Sequence, residues 1–357
     1  MQTIEQLVAV SEGFDEGKHD HLMPVGQLLV TEAGSLTLPP MLMGSLPPLS
    51  FEEHSFAQFV RKSAPGLYTE GKKASMPVDY NWQLHETYPD LFANTFNRYL
   101  ETIGNDKQWM VRAHNTDLRA VLSDRYADLP NSELLDMTAQ VLEGVDYKLG
   151  ACNVGRDSMI IRVIVKDLPR PLGTDMSGFG FGIMVRNDEV GRGSAQVAPV
   201  LQRTTCTNSI VAIRDENGEA MGVRLVHIGS AKMKLGLIAA AIAEVLPNAE
   251  KMLDKYAEAT VAEIPKLPAL IAKLGEKYKW GDEIQSAVSI GTEGKMTHAG
   301  LVNGLTFAAQ TVDGQEDRLR MEQLGGEMLF TAAAKLVSMS EGAMAIPTFS
   351  LVEAYTE

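Results

Sequence analysis

The sequence predicts an α+β protein in which an antiparallel sheet of at least four strands lies between helical N- and C-terminal parts. The 357 residues are 45% hydrophobic and 22% charged, which excludes wholesale disorder, collagen and coiled-coil rods. Four segments between residues 159 and 229 alternate apolar and polar residues with no helical pattern between them, as antiparallel strands covered on one face do. From Ser230 onward, the apolar residues recur at helical spacing instead.

The N-terminal region is acidic and rich in proline and glycine. Residues 1–60 hold eight acidic residues and one basic residue, Lys18. Because closely spaced prolines and glycines break regular elements, we expect residues 1–50 to be an irregular arm with short strands such as 26–31, or to be disordered. Such an acidic arm would be able to cover a basic groove and mimic phosphate there. Residues 51–230 then form an α/β core, and residues 231–357 form a helical C-terminal part.

Within the core, residues 51–102 are predicted to be mostly helical, because their aromatic residues recur at helical spacing. Two short strands follow, and then a helix over 131–144 with Asn131 as its N-cap and Gly144 past its end. The short strands are expected at 109–113 and 118–122, the longer strands at 159–166, 178–186, 195–206 and 222–229, and the C-terminal helices at 232–246 (buried), 248–261, 296–312 and 315–339.

Several functional classes find no support in the sequence. The net charge of −14 opposes non-specific binding to nucleic acid or anionic membrane unless basic residues are gathered in one place. No run of 18 uncharged apolar residues is present, and the N-terminus lacks a signal-peptide pattern, so we expect a cytoplasmic protein with reduced thiols and no membrane contact. No phosphate-binding loop, metal-ligand spacing or catalytic-triad spacing occurs, so we expect no cofactor, no metal and no covalent catalysis.

The placement of arginine is the most informative feature. Eight arginines and a single lysine, Lys166, lie between residues 156 and 224, whereas every basic residue from 231 to 317 is a lysine. Guanidinium groups bind phosphate bidentately and stack on bases, which ammonium groups do not. Arg162, Lys166 and Arg186 fall opposite the apolar faces of their strands, and we expect them to form a positive patch on one sheet face with Arg203. Arg192 and Arg224 are further candidates for nucleic-acid contacts. The alternative is that these arginines pair with nearby carboxylates, namely Asp157, Asp167, Asp175, Asp188 and Glu189.

A glycine-rich strand lies within the same zone. The run from Ser177 to Met184 resembles the aromatic strand of RNA-recognition domains, but it departs from that pattern at Ser177, Gly182 and Met184. We therefore assign no such fold and expect Phe179 and Phe181 to be core residues. The alternating glycines leave one strand face open to a backbone or a base.

Three stretches together resemble a phage- and plasmid-borne family known as domain of unknown function 932. The first stretch runs from Arg112 to Tyr126 and contains R-A-x-L-S-D-R-Y; the second is V-R-N-D-E-V-G at 185–191 followed by T-C-T-N at 205–208; the third is G-L-V-N-G-L-T-F at 300–307 followed by R-M-E-Q-L-G-G at 320–326. The sequence departs from the family at Ser209 and in its N-terminal arm. The resemblance implies a mobile-element origin and supplies no catalytic residue. Its motif residues are Arg119, Ser123, Asp124, Arg125, Tyr126, Asn187, Cys206 and Asn208.

A fold-level analogy adds a functional hypothesis. Phage single-strand annealing proteins have an antiparallel sheet followed by a long helix, with single-stranded DNA in a basic groove between them, and the order of elements after residue 159 fits that plan. We therefore expect a homo-oligomeric, single-stranded nucleic-acid-binding protein of the annealing type. The alternatives are a non-enzymatic phage structural or regulatory interaction protein and a metal-dependent nuclease-like enzyme.

Overall fold

The computed structural model describes residues 3–39, 47–64, 78–168, 172–204 and 208–346. It confirms the α+β class, with antiparallel sheets of four and more strands among many helices. The predicted strands on the two sides of residue 131 belong to two separate sheets, one of four strands and one of seven. Residues 40–46, Arg170, Cys206 and the segment after 346 lie outside the described residues.

The first part of the chain forms a helix and a strand, so the prediction of an irregular arm is wrong for residues 4–24. After them, a two-residue strand does lie within the expected range 26–31. Helix α1 (Ile4–Asp15) begins with a capping box between Thr3 and Gln6, and its Ile4 and Leu7 are buried against the core. Strand β1 (Lys18–Pro24) pairs antiparallel with β5 (Gln108–His114) over seven residues. The proline and glycine residues responsible for the prediction are concentrated after this strand. A short 3₁₀ turn at Val25–Gln27 and the two-residue strands β2 (Leu29–Val30), β3 (Leu36–Thr37) and β4 (Ser50–Phe51) follow there.

The four-stranded sheet has the order β1-β5-β6-β4, in which β6 is Asp117–Ser123. Helices α2 (Glu53–Ser63), α3 (Val78–Thr87) and α4 (Pro89–Ile103) cover it, as the aromatic spacing predicts. Phe56, Phe59 and Phe92 are buried beside Trp109 in this first core.

Helix α5 (Asn131–Val141) leads into the seven-stranded sheet. Asn131 is the first residue of this helix rather than its N-cap, and its side chain is used elsewhere. The central order is β12-β11-β10-β9-β7, with β13 paired to β11 and β8 paired to β9. These strands are β7 (Lys148–Leu149), β8 (Asn153–Val154), β9 (Ser158–Leu168), β10 (Phe179–Asp188), β11 (Ala195–Arg203), β12 (Ser209–Val211) and β13 (Val223–Leu225). The predicted strand at 222–229 is reduced to β13, which pairs only with the first three residues of β11.

One long helix, α6 (Ala231–Val261), replaces the two helices predicted around Pro247. Val245, Ala249 and Met252 continue one buried stripe past the proline, so packing outweighs the hydrogen bond that Pro247 cannot donate. The remaining helices are α7 (Leu267–Tyr278), α8 (Asp282–Gly291), α9 (His298–Ala308), α10 (Gln315–Phe330) and α11 (Ala333–Glu341). No described helix is both long and apolar enough to cross a bilayer.

The two faces of the seven-stranded sheet are covered by different helices. One face, with Ile161, Val163 and Val185, packs on α6 together with α1 and α5. The opposite face carries Ile160, Met184, Arg162 and Arg186, and it packs on α10 through Leu319. Phe179 and Phe181 are core residues, as expected. Both faces are therefore covered, whereas the sequence indicated one covered face.

Candidate nucleic-acid interface

Arg162 does not lie on an open surface. Its side chain is fully buried on β9, where a guanidinium nitrogen is ion-paired with the equally buried Glu322 of α10. Its Nη1 donates to the carbonyl of Ala151 at 2.9 Å. The second oxygen of Glu322 accepts from Nε of Arg318 at 3.1 Å. The open phosphate-binding patch predicted around Arg162 is therefore not formed, because a helix carboxylate occupies the place of a phosphate.

Arg186 follows the same pattern on β10. Its side chain is 4% exposed and forms a two-pronged contact with Glu316 of α10, at 3.0 Å from Nε and 2.7 Å from Nη2. Its Nη1 also donates to the carbonyl of Ser194 at 3.3 Å. Fork-to-fork geometry of this kind is the strong, directional form of an arginine–carboxylate contact.

Arg203, at the end of β11, is also buried but lies on the other face of the sheet, because the β10–β11 register pairs it with Phe179. The prediction that it shares a patch with Arg162 and Arg186 is therefore wrong. Arg203 lies 3.4 Å from Asp175 and 3.1 Å from Glu293, and it donates to Ser177 Oγ at 2.7 Å. Burial alone would raise the pKa of Asp175. Hydrogen bonds from Tyr256 and Ser177, together with the charge of Arg203, outweigh burial and hold that pKa below its ordinary value.

We call Arg162 and Arg186 the arginine face. The sequence correctly placed both on the side of their strands opposite the apolar residues. It missed the two glutamates that cover this face, Glu322 and Glu316, because they lie 160 and 130 positions away along the chain. The alternative of pairing with nearby carboxylates is confirmed for Arg203, which pairs with Asp175, and for Arg192, which pairs with Asp188.

The other three predicted contact residues differ from the arginine face. Arg192, in the β10–β11 turn, keeps 40% of its side chain exposed while it pairs with Asp188 at 3.0 Å and lies 3.8 Å from Asp157. Arg224 on β13 is exposed and donates from Nε to Ser194 Oγ at 2.8 Å. Lys166 belongs to β9, and its side chain lies outside the described part of the structure.

Several of the family-motif residues meet where the two sheets join. Arg119 is buried and donates to Asp157 at 2.9 Å. Tyr126 donates from its hydroxyl to the carbonyl of Asp188 at 3.1 Å. Asn187 donates to the carbonyl of Leu129 at 2.8 Å and to Asn131 Oδ1 at 2.9 Å, which explains why Asn131 is not a cap. Asn208 is buried beyond β11, and Cys206 lies outside the described residues. The motif thus fixes the joint between the sheets.

A buried charge cluster lies behind these residues, centred on Arg112 and Glu189. Arg112 is fully buried, donates from Nε to Asp20 at 2.8 Å, and is also ion-paired with Asp128. Glu189 accepts from the backbone N–H of Asn131 at 2.7 Å and lies 3.2 Å from Lys18. Burial raises the pKa of Glu189 despite these partners. Asp20 ties the acidic N-terminal segment to this cluster, and the sequence offered no signal for that contact.

The ring of Tyr126 is already in contact with two side chains of the protein. One face is stacked on His227, with ring centroids 5.0 Å apart and an interplanar angle of 7°. The guanidinium carbon of Arg112 lies 5.7 Å from the centroid of the same ring. The motif tyrosine is therefore part of the joint and not a stacking platform.

A second group of cations is solvent-facing and lies at the end of the R-A-x-L-S-D-R-Y motif. Lys107 lies just before β5, and Arg125 lies in the turn after β6, where the N–H of Tyr126 donates to the carbonyl of Ser123. Both are exposed, and the half-buried Lys62, at the end of α2, lies close to Lys107 and Asp124. The pKa of Lys62 is lowered by burial and by the charge of Lys107, and Asp124 opposes that shift. We call Lys62, Lys107 and Arg125 the motif-end cations. Within the described part of the chain, none of them forms an ion pair.

The described residues of this region offer neither an activated thiol nor a metal site. Burial raises the pKa of the half-buried Cys152 thiol, which is the opposite of an activated nucleophile. In the described ranges, no three histidine, cysteine or acidic side chains are grouped so that they could hold a metal ion.

No family model, no curated protein and no solved structure matches this chain. The resemblance to domain of unknown function 932 therefore depends on the quoted motifs alone.

Proposed function

We propose that the protein binds single-stranded nucleic acid, in the manner of an annealing protein, through phosphate contacts at the motif-end cations. The observation that carries this proposal is the local excess of positive charge there. Lys62 and Lys107 lie near one carboxylate, Asp124, and Arg125 follows Asp124 directly in a chain whose net charge is −14. Arginine and lysine that lack carboxylate partners are the groups that release counterions when they meet phosphate.

The buried arginine face does not contribute to this site. Each of its guanidinium groups is already ion-paired with a glutamate of α10, and a phosphate would have to displace α10 to reach them. Arg192 extends the exposed charge at the β10–β11 turn, although Asp188 neutralises it in part. The proposal thus keeps the predicted function but moves the contact from the sheet face to the end of the motif.

The geometry sets the character of the binding. Three phosphate contacts to a single strand give a slope of log K against log salt of about −2, since each contact contributes about −0.7. Because the ring of Tyr126 is already stacked on His227, we expect the contacts at this site to be to phosphate, with little dependence on base sequence. The strong net negative charge of the chain makes binding weak except at low salt.

The test is fluorescence anisotropy with labelled single-stranded DNA and, in parallel, single-stranded RNA of equal length. The variant Lys107→Ala with Arg125→Ala is expected to reduce the salt slope by about 1.4 and to weaken binding most at low salt. A second variant, Arg192→Ala with Arg224→Ala, measures the contribution of the exposed arginines at the β10–β11 turn and on β13. Arg98→Ala with Arg214→Ala is the matched control, because it removes two exposed arginines on other elements. Absence of binding at low salt, or equal loss in the control, would defeat the proposal.

A second candidate function is a non-enzymatic interaction protein. It is favoured by the arginine face itself, because guanidinium groups that are paired with internal carboxylates serve the fold and not a ligand. Under this alternative, neither nucleic acid binds at low salt, and the motif-end substitutions change nothing measurable. The same titration therefore decides between the two classes.

A further inference from the structure

An open groove lies among the C-terminal helices, on the outer side of α10. Its volume is about 1520 Å³, which exceeds the roughly 300–1,000 Å³ typical of small-molecule sites and suits a protein element better. The stacked rings of Tyr278 and Trp280, 5.8 Å apart, form part of its wall. Ile290 and Phe307 also line it, and they are 64% and 36% exposed. Apolar side chains of this size are costly to leave in water.

A second exposed apolar surface lies on the first half of α6. Met233 and Leu237 are 61% and 47% exposed, and the exposed Ala240 continues the same side of the helix. The opposite side, which includes Ile238 and Ile242, is buried on the seven-stranded sheet. From 235 to 243 the helix is therefore apolar all round, a pattern that belongs to helices with partners on both sides. We call Met233, Leu237 and Ala240 the α6 stripe.

We propose that the α6 stripe of one copy docks into the groove between α7, α8, α9 and α10 of a second copy of this chain. A helix is about 10–12 Å across, and the stretch 233–243 is about 16 Å long, so its apolar side chains match a groove of this size. The inference does not depend on nucleic-acid binding, because neither surface includes the motif-end cations.

The charges of the two surfaces agree with this assignment. The segment 226–243 contains no acidic residue and carries the exposed Lys232 beside the stripe. The groove is lined by four carboxylates and three cations, and Arg320 among the cations is already paired with Asp317 at 2.8 Å. A weakly positive helix therefore meets a weakly negative rim.

The position of the two surfaces determines the type of assembly. The helix α6 covers one face of the seven-stranded sheet, and α10, which lines the groove, covers the other. The stripe and the groove of one copy thus lie on opposite sides of the sheet. Two copies related by a two-fold axis therefore cannot form both stripe–groove contacts at once. A head-to-tail contact of this kind leaves one free groove and one free stripe at its ends, so it continues into a ring or a filament.

Sedimentation velocity of the full chain over a wide range of concentration tests the contact. The wild type is expected to form species larger than the 38.9 kDa monomer. Leu237→Glu removes the stripe and Ile290→Glu removes the groove, and each is expected to raise the concentration needed for assembly by at least about tenfold, since a charge in an apolar contact is poorly solvated. The control Leu91→Glu changes a leucine on α4 that is 52% exposed and lies outside both surfaces, so it should assemble like the wild type.

Mixing the two variants tests directly whether the stripe of one chain binds the groove of another. Leu237→Glu retains an intact groove and Ile290→Glu retains an intact stripe, so a one-to-one mixture should form a two-chain species that neither variant forms alone. Thermal unfolding of each variant verifies that it is folded. If a glutamate prevents folding, the two single variants Leu237→Ser and Ile290→Ser are used in its place. A monomeric wild type, an equal effect of Leu91→Glu, or a mixture that stays monomeric would overturn the inference.

Discussion

The arginine face and the motif-end cations are two concentrations of positive charge with opposite fates. On the arginine face, Arg162 and Arg186 are nearly inaccessible and face glutamates of α10. At the end of the motif, Lys107 and Arg125 are exposed. The denser set of arginines is therefore the one that serves the fold, and the sparser set is the one that can meet a ligand. Availability to solvent, and not density along the chain, separates the two roles.

The difference has a physical origin in desolvation. A buried guanidinium is tolerated only when its donors are satisfied and its charge is neutralised, and the planar fork of arginine suits a carboxylate for that purpose. The motif-end cations include two lysines, whose strongly hydrated ammonium groups are better suited to the surface. The change from arginine to lysine between the two regions thus reflects burial as much as ligand chemistry.

The largest expected effect comes from breaking the buried pair at its acidic end. Glu322→Gln leaves the charge of Arg162 without its partner in a fully buried site, so we expect a loss of about 3–5 kcal/mol in the free energy of unfolding. Urea denaturation measures this loss. Asp317→Asn is the matched control on the same helix, and we expect it to cost less than about 0.5 kcal/mol because Asp317 is exposed. A loss below about 1 kcal/mol for Glu322→Gln would show that the arginine face is not closed as described.

An intermediate effect on stability is expected from His227, whose ring stacks on that of Tyr126. Burial lowers its pKa to about 4, from 6.5 in the unfolded chain. Between these values the unfolded chain binds a proton that the folded chain does not, so stability falls as the pH drops from 6.5 toward 4. The loss amounts to about 3 kcal/mol at 1.36 kcal/mol per pH unit.

His227→Phe retains a ring against Tyr126 but cannot titrate, so it isolates this contribution. Chemical denaturation at pH 7 and pH 4.5 should show a smaller acid-induced loss in the variant than in the wild type. Burial also lowers the pKa of His54 and His298, which keeps part of the acid sensitivity in both proteins. Identical losses in the two proteins would contradict the assignment to His227.

The smallest expected effect on stability is at the motif-end cations. Lys107→Ala with Arg125→Ala removes two exposed charges, so the free energy of unfolding should change by less than about 0.5 kcal/mol. Removing Lys107 also relieves its repulsion of Lys62, whose pKa should rise. Chemical denaturation measures the first quantity, and the titration of Lys62 followed by NMR measures the second. A large loss of stability would show that these residues stabilise the folded protein. The contrast with the arginine face would then not hold.

Local patterns in the sequence predicted much of the fold. Period-2 alternation identified β9, β10 and β11, and it assigned Arg162 and Arg186 to the face opposite Ile161 and Val185. The same alternation says nothing about what covers a face. That information lies in α10, whose Glu316 and Glu322 resemble ordinary surface residues of an amphipathic helix until the helix is docked.

Other differences also arise from long-range packing. The division into two sheets depends on β1 pairing with β5, a contact between segments about 90 positions apart. The continuity of α6 through Pro247 depends on a buried stripe that compensates for the missing hydrogen bond. The motif-end cations were not identified from the sequence, because Lys62 and Lys107 come together only when α2 packs on β6. Arg125 was noticed only as a motif residue.

The 160 positions that separate Arg162 from Glu322 also impose an order on biosynthesis. During translation the strands that carry Arg162 and Arg186 emerge before either glutamate of α10 has been made. Until then these guanidinium groups can be satisfied only by water or by transient partners, and the sheet cannot bury them at low cost. A chain interrupted before α10 would therefore lack not only a covering layer but also the counter-charges of its own interior. The seven-stranded sheet can therefore close over these arginines only after α10, at Gln315–Phe330, has been made.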